Sequence, residues 1–351
     1  MKTALITGIT GQFSSYFADY LLEQGYQVVG MKRRSSTNNL WRLESALKNP
    51  NFTVIEGDLT DAVSINNIIA KYKPYCVINA GAQSHVHTSF EQPAYTFEVN
   101  TVGVIYLLEA IRQHSPETKF VQFSSSEQFG RNYTTTVVDG VPIRQQNMYT
   151  EFIPQSPYAI SKVGAFHCTR LYRECYKLFA CNSINFNSES PRRGEEFVTR
   201  KITQYVAKLY HASRKYREIG NPKEVVTPPA NFTKLKLGNT KAYRDFSYVP
   251  DVVRGIWASL QYKVPDDYIF CTGHTHSIEE FLQEAFGCIG LDYKPYVEID
   301  PRLYRPAEVD YLCGDSSKAK ELLGWYPTVG FKDLVKIMVD ADIVALERAE
   351  V

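Results

Sequence analysis

No stretch of this 351-residue chain is apolar for long enough to span a bilayer, and the opening run Thr3-Ala4-Leu5-Ile6-Thr7 is too short for a secretory signal. Seven cysteines are scattered without one Cys-x-x-Cys pair, which argues against a zinc site and fits reduced thiols in a cytoplasmic protein. An excess of either charge is missing too. Lys and Arg number 39 against 38 Asp and Glu, so no global field draws nucleic acid or an anionic membrane, and any anion site must be local. The 24 tyrosines and 19 phenylalanines are not interleaved with arginine, which leaves stacking on RNA bases unsupported. His85 and His87, like His274 and His276, lack a carboxylate or cysteine at ligand spacing, so polar or packing roles are expected and no metal. Internal repeats, low-complexity tracts and long linkers are also absent.

What is present is periodic. Apolar runs of strand length at Thr3–Thr7, Gln27–Met31, Thr53–Glu56, Tyr75–Asn79 and Lys119–Ser124 alternate with helical patterns at Ser14–Glu23, Ala62–Tyr72, Asn100–Gln113 and Tyr158–Leu178. This alternation predicts an α/β chain with a Rossmann-type, doubly wound parallel sheet. Residues 1–185 are expected to form that unit, and 186–351 a smaller, mixed substrate-binding domain. Segments near 240–275, above all Tyr268–Thr272, are expected to return to the sheet. Ser277 and Glu280 form a capping box opening a further helix, and the polar, proline-bearing stretch His211–Asn231 reads as a surface excursion.

After the first strand, Gly8 permits a tight turn and Gly11 lets backbone N–H groups approach a diphosphate at a helix N-terminus. Ser14 is the third small position, and Gln12, Leu59 and Ala80 complete the expected cofactor contacts. Where an NAD enzyme carries an acid for the adenosine ribose, this chain has Lys32-Arg33-Arg34-Ser35-Ser36. Two guanidinium groups and two hydroxyls suit the extra phosphate of NADP, against the alternative of a solvated basic loop. Asp58 either accepts from the adenine amine or caps the following helix.

Tyr158 and Lys162 lie one helical turn apart and face the same way. An unperturbed tyrosine, with a pKa of about 10, is a poor base at neutral pH, and a nearby ammonium together with the positive nicotinamide ring of an oxidised cofactor would favour its phenolate. Ser125 and Glu127, two apart at a strand's carboxyl end, are expected to point together into the ligand crevice, with Ser124 and Ser126 turned away. Ser125 would hydrogen-bond the reacting oxygen, while the Glu127 carboxylate could remove the acidic hydrogen beside a newly formed ketone and so expel a β-hydroxyl as water. A plain alcohol dehydrogenase needs no such acid. The alternative for Glu127 is a capping or ion-paired side chain.

These residues, with Leu5-Ile6-Thr7-Gly8-Ile9-Thr10-Gly11-Gln12, Ala82-Gln83-Ser84-His85-Val86, Ser190-Pro191-Arg192-Arg193-Gly194, Phe197-Val198-Thr199-Arg200-Lys201 and Arg305-Pro306-x-Glu308-Val309-Asp310, resemble the GDP-mannose 4,6-dehydratase family of extended short-chain dehydrogenases/reductases over nearly the whole chain. The resemblance implies an NADP-dependent lyase that turns a GDP-linked sugar into its 4-keto-6-deoxy form. It implies Glu127 as the base at C5, Ser125 in the place of the usual threonine, and Tyr158 with Lys162 serving C4 oxidation. It further implies Ser84 and Asn187 at the substrate, Arg244 and Arg305 bracketing its diphosphate, Glu308 on its ribose and Lys201 near guanine. A homo-oligomer, tetrameric in the family, would bring the Arg33–Thr37 loop to a neighbour's cofactor. Departures from the family pattern are Phe13-Ser14 for Asp-Gly, Gln128-Phe129 for Leu-Tyr, Ser188 for histidine, and drift in Asn239–Tyr248. The sugar therefore stays open between GDP-mannose, a GDP-heptose and a GDP-N-acetylhexosamine. Two rivals remain: a C4 epimerase or reductase in which Glu127 is incidental, and a silent nucleotide-sugar binder.

Overall fold

Short apolar runs rich in Val, Ile and Phe pair side by side in the computed structural model, which describes residues 1–37, 39–138, 141–219, 232–304 and 308–349. The first half runs β1 (Thr3–Thr7), α1 (Gln12–Glu23), β2 (Gln27–Lys32), β3 (Phe52–Glu56), α2 (Ala62–Tyr72) and β4 (Cys76–Asn79). Two short helices, α3 (Val86–Glu91) and α4 (Pro93–Phe97), lead into α5 (Gly103–His114) and β5 (Lys119–Ser125). A hairpin of β6 (Thr134–Val138) and β7 (Val141–Gln145) precedes α6 (Pro157–Tyr176) and β8 (Ala180–Asn185). The strands then shorten: β9 (Asn187–Glu189), α7 (Val198–Ile219), β10 (Leu235–Leu237), β11 (Tyr243–Arg244), β12 (Phe246–Tyr248), α8 (Val249–Gln261) and β13 (Asp267–Phe270). The chain finishes with β14 (His276–Ser277), α9 (Ile278–Gly287), β15 (Val297–Ile299), α10 (Ser317–Leu323) and α11 (Phe331–Ala349).

The main sheet has seven strands in the order β3-β2-β1-β4-β5-β8-β13, and every neighbouring pair is parallel. A parallel sheet must be covered on both faces. One face packs Phe17 and Leu21 of α1 with Val252 and Ile256 of α8, and the other packs Ile65, Leu107, Ile111 and Tyr172 of α2, α5 and α6. Fully burying each such side chain contributes roughly 1.5–3 kcal/mol. A third core, around Ile202, Phe281, Leu334 and Met338, joins α7, α9 and α11 into a separate lobe with the two-stranded ribbons β9–β12, β10–β15 and β11–β14.

Two expectations about the second half are resolved by particular residues. The Tyr268 run does return to the sheet, as β13 at its edge beside β8. There Asp267 accepts from both terminal nitrogens of Arg173 on α6 at 2.8 Å and from Asn182 on β8 at 2.8 Å. The excursion expected from His211 does not begin there. Gly220 and Pro222, Pro228 and Pro229 all follow Ile219, so nothing in 211–219 breaks the helix and α7 runs on to Ile219. Residues 220–231 lie outside the described residues.

Removing one partner of the Arg173–Asp267 pair strands a charge in a largely buried site. Asp267→Ala should therefore lower the unfolding free energy by about 3–5 kcal/mol, and adding Arg173→Met should recover part of the loss, as read by urea denaturation.

Candidate active site

The carboxyl ends of β1, β4, β5 and β8 open onto one cleft of about 720 Å³, closed on its far side by β9, α7, β11 and the Glu308 segment. Open parallel sheets bind ligands at this end.

β1 stops at Thr7, whose hydroxyl donates to Asn79 Oδ1 at 2.6 Å and accepts Gly81 N–H at 2.9 Å, so the ends of β1 and β4 are drawn together. Gly8 turns away with φ of +60°, and a Cβ there would stand 2.7 Å from Gly81 Cα. Gly11 precedes α1, which has no side-chain cap and no acid in its first turn. Residues Thr10–Ser14 line the cleft, so the helix's unsatisfied N–H groups and positive end are left for an anion. This cradle fits a dinucleotide diphosphate. Ser14 donates to Thr7 O at 3.1 Å and is buried, serving as a glycine substitute at the helix–strand contact.

The other expected cofactor residues divide. Ala80 lines the cleft. Gln12 lines it too, but its amide donates to Ser188 O at 3.0 Å and accepts from Ser190 Oγ at 2.6 Å, tying the loop to β9 and the turn after it. Leu59 is buried against Gly103, away from the cleft wall. Asp58 accepts from Thr60 N and Oγ1, both at 3.0 Å, whereas Asp61 caps α2 by accepting from Val63 N and Ser64 N; the capping alternative for Asp58 is thereby removed. Arg33, Arg34 and Ser35 are exposed beyond β2 and do not line the cleft; Arg33 donates to the Tyr95 hydroxyl, and Ser35 Oγ lies 3.0 Å from Thr37 Oγ1.

Ser156 caps α6, accepting Ala159 N–H at 3.1 Å, and Pro157 fills its first turn. Tyr158 and Lys162 follow, both buried and both on the cleft wall. The expected lowering of the phenol's pKa, which also counted on a cofactor's positive ring, is not produced by Lys162 alone. Its ammonium donates to Phe123 O at 2.8 Å and lies 5.9 Å from the centre of the Tyr158 ring. Burial lowers Lys162 to about 8 and pushes Tyr158 up to about 12. A hydrogen bond with Ser125 and the charge of Arg193 oppose the rise, and the charge of Glu127 adds to it. The chain by itself therefore keeps Tyr158 protonated at neutral pH.

Ser125 and Glu127 share the cleft wall with Tyr158, for a different reason from strand alternation. β5 ends at Ser125, and Glu127 lies in the first turn of a 3₁₀ helix, Ser126–Phe129. Ser125 Oγ accepts Glu127 N–H at 3.2 Å, and the Gln128 amide oxygen accepts Ser125 N–H at 3.3 Å, so Gln128 and not Glu127 closes the cap. Ser124 and Ser126 are not turned away, since both also contribute to the wall, because the chain leaves the strand here.

Ser84, from the segment between β4 and α3, and Asn187, Lys201, Arg244 and Glu308, on the lobe side, line the cleft. Arg244 and Glu308, expected to contact separate parts of a nucleotide, pair with each other at 2.9 Å. Arg305 lies outside the described residues. Asp245, the next residue after Arg244, is itself anchored by accepting from Thr272 N, Thr272 Oγ1, Gly273 N and Gly314 N at 2.6–3.3 Å. His85 Nδ1 lies 2.8 Å from Thr88 Oγ1 and caps α3. His276 stacks on Phe331 with its Nδ1 3.7 Å from Glu280, a carboxylate four residues on. Among the described residues, no group of three or more His, Cys, Asp and Glu is arranged for a metal.

Two residues on the wall escaped the sequence reading. Arg193 lies over the Phe197 ring at 3.6 Å, with its Nε 3.3 Å from Glu189. Arg42 donates to Thr10 O at 3.1 Å and to Arg192 O at 2.7 Å. Only the doubled arginine in Ser190–Gly194 hinted at the first, and nothing local marked the second.

Sheet, glycine loop and Ser–Tyr–Lys wall define an extended short-chain dehydrogenase/reductase. A family model described as GDP-mannose 4,6 dehydratase matches residues 5–226 and 230–338. The chain belongs to that family. It is 46% identical over 360 residues to GDP-mannose 4,6 dehydratase 2 of Arabidopsis thaliana, covering 100% of this chain and 89% of that one. It is 40% identical over 383 residues to the GDP-mannose 4,6-dehydratase of Vibrio cholerae, covering 99% and 95%. In fold it is similar to the dTDP-glucose 4,6-dehydratase of Streptomyces venezuelae, solved with NAD, at a TM-score of 0.79 and 20% identity over 99% and 98% of the two chains. The UDP-glucose 4-epimerase of Thermotoga maritima is alike at 0.78 and 23% identity, covering 98% and 99%.

The folded chain holds the Lys162 proton more weakly than the unfolded chain does, so charged Lys162 destabilises the fold below about pH 8. That penalty fades as pH rises from about 8 towards 10.5. Without cofactor, wild type should gain about 3 kcal/mol of unfolding free energy relative to Lys162→Met across this window.

Proposed function

We propose that the chain catalyses 4,6-dehydration of a GDP-linked hexose of the GDP-mannose type, giving the 4-keto-6-deoxy sugar. The single observation that carries this reading is the carboxylate of Glu127 on the same cleft wall as Ser125 and Tyr158. NADP, when bound, supplies a hydride acceptor for C4 and returns the hydride at C6, so the reaction has no net redox change. Gly8, Gly11, Ala80 and the N-terminus of α1 would hold its diphosphate, with Arg33, Arg34 and Ser35 near its extra phosphate.

The chain's own residues move the protons. Tyr158 receives the proton of the C4 hydroxyl while Ser125 hydrogen-bonds that oxygen. Tyr158 starts from a pKa of about 12, so it acts as a base only with additional positive charge beside it, which the oxidised nicotinamide carries. The resulting C4 ketone acidifies the hydrogen on C5. Glu127 removes that hydrogen as a proton and passes it to the hydroxyl on C6, which leaves as water. C5 is then reprotonated, and release of the proton held on Tyr158 balances this one and restores the site. Arg244 and Glu308 separate from each other to meet the diphosphate and a ribose hydroxyl, with Ser84, Asn187, Lys201 and Arg305 along the rest of the ligand.

We place the enzyme in the cytoplasm, on its seven unpaired thiols. We also read it as a homo-oligomer, a tetramer by family. Ile160 and Leu171, three helical turns apart on α6 and each about half exposed, present an apolar face suited to a second copy.

Incubation with GDP-mannose should give a product lighter by one water, whereas an unchanged mass with a new isomer would establish an epimerase instead. Glu127→Gln should accumulate reduced nicotinamide and form product at least about a hundredfold more slowly, while Tyr158→Phe should show neither product nor reduced cofactor. Normal turnover by Glu127→Gln would overturn the assignment of the C5 base. Replacing Arg33 and Arg34 together by Ala should weaken NADP binding by about 10–100-fold and leave NAD within about threefold, measured by fluorescence titration.

A further inference from the structure

Phe13 stands where the family pattern has aspartate, so a negative charge is missing from the glycine loop. Its companion departure, Ser14, is absorbed by the bond to Thr7 O, whereas the Phe13 ring is left on the cleft wall. Phe13 is the second residue of α1 and half-buried. Its ring meets Phe123 of β5 edge-on, with centroids 5.0 Å apart and planes at 74°. Phe17, one turn further along α1, packs on the same Phe123 ring at 6.1 Å. No acid stands in the first turn of α1 to replace the missing charge.

The Phe13–Phe123 contact is the seam between two ends of the cleft. Phe13 follows Gly11 by two residues, at the end of α1 that fits a dinucleotide diphosphate. Phe123 precedes Ser125 by two, lines the wall itself, and gives its carbonyl to the Lys162 ammonium at 2.8 Å. A dinucleotide held by its diphosphate at Gly11 must carry its nicotinamide across this seam to reach the sugar carbon that Tyr158 and Ser125 serve. The oxidised ring bears a positive charge and the reduced ring bears none. Beside two phenyl rings the charged form loses hydration and gains no carboxylate in return, so the reduced form is favoured. Of the charged groups on the reactive part of the wall, Lys162 and Arg193 act in the same direction, and Glu127 and Glu189 act against it.

We propose that Phe13 poises the bound cofactor for hydride uptake. Its ring backs the nicotinamide with an apolar surface in place of a carboxylate, so the site holds NADPH more tightly relative to NADP than the same site with an acid would. The bound oxidised cofactor is then the stronger hydride acceptor. C4 oxidation gains directly: the hydrogen on C4 leaves with its electron pair to the nicotinamide, and the hydroxyl proton goes to Tyr158. This inference rests on the reading of the cleft as a nicotinamide site, and it holds whichever GDP-linked sugar is the substrate.

The test measures the dissociation constants of NADP and NADPH for the full-length protein without sugar, by calorimetry and by nicotinamide fluorescence. Their ratio cancels whatever a substitution does to the fold or to the diphosphate, which both forms share. F13D should lower the ratio of the NADP constant to the NADPH constant about tenfold. F13N, with nearly the shape of the aspartate and no charge, and F13L, which stays apolar, should each keep the ratio within about threefold of wild type. A tenfold change in the ratio corresponds to a reduction potential lower by about 30 mV for the bound two-electron couple, which a spectroelectrochemical titration reads independently.

The inference fails if folded F13D keeps the ratio within about threefold of wild type. It fails equally if F13N or F13L lowers the ratio as far as F13D does, because the effect then belongs to the shape of the side chain and not to its charge. Should F13D not fold, F13E carries the decision on the same limits. Wild-type protein that binds neither NADP nor NAD would bring down the cofactor reading and this inference with it. Wild-type binding of both NADP and NADPH, with a ratio indifferent to an added carboxylate, would remove this inference alone.

Discussion

The buried ammonium of Lys162, bonded to the carbonyl of Phe123, joins the helix that carries Tyr158 to the strand that ends in Ser125 and leads to Glu127. Three reactive side chains from two elements share one wall because that bond sets the helix against the strand. The bond has a second effect. With its charge directed at a carbonyl and stripped of water, Lys162 does little for the phenol, and burial keeps Tyr158 an acid in the chain by itself. Proton abstraction is thus conditional: the basicity of Tyr158 must come from what binds beside it. On the proposed mechanism, an enzyme that oxidises and reduces its substrate in one visit would gain from such an arrangement, because Tyr158 would act as a base only beside added positive charge.

A comparable economy governs the two halves of the cleft. Gln12 reaches from the glycine loop to Ser188 and Ser190, and Arg42 spans Thr10 and Arg192. Arg192 pairs with Asp19 on α1 at 2.7 Å, and Arg193 from the same segment faces the Tyr158 region. The glycine loop and the Ser188–Arg193 segment are therefore one hydrogen-bonded body. Movement of either is felt by the other, and the cleft has no independent cofactor half.

Much of the fold was legible because its signal is local. The strand runs and the glycine loop follow from periodicity and backbone sterics, and β1 and α2 have the expected bounds. The end of β5 misled because a period of two holds only while the chain stays extended; one residue after Ser125 it curls, and Glu127 reaches the cleft by a turn. The extent of α7 was missed because a polar helix face and a polar loop share a composition. Arg42, the Arg244–Glu308 pair and the direction of the Tyr158 shift were illegible for another reason. Each depends on groups far apart in sequence, or on burial that only the packed chain defines.

The edge strand β13 adds a temporal aspect to this architecture. Asp267–Phe270 is separated by more than eighty residues from β8, the neighbour it covers, and those residues begin the second lobe, whose α9 and α11 come later still. Until that segment leaves the ribosome, a nascent chain carries β8 as an open border with unanswered amides, a surface prone to pairing with other extended chains. Synthesis of the nucleotide-binding half alone therefore yields an unfinished sheet, and a nascent polypeptide of this design has reason to linger with a chaperone until its last third arrives.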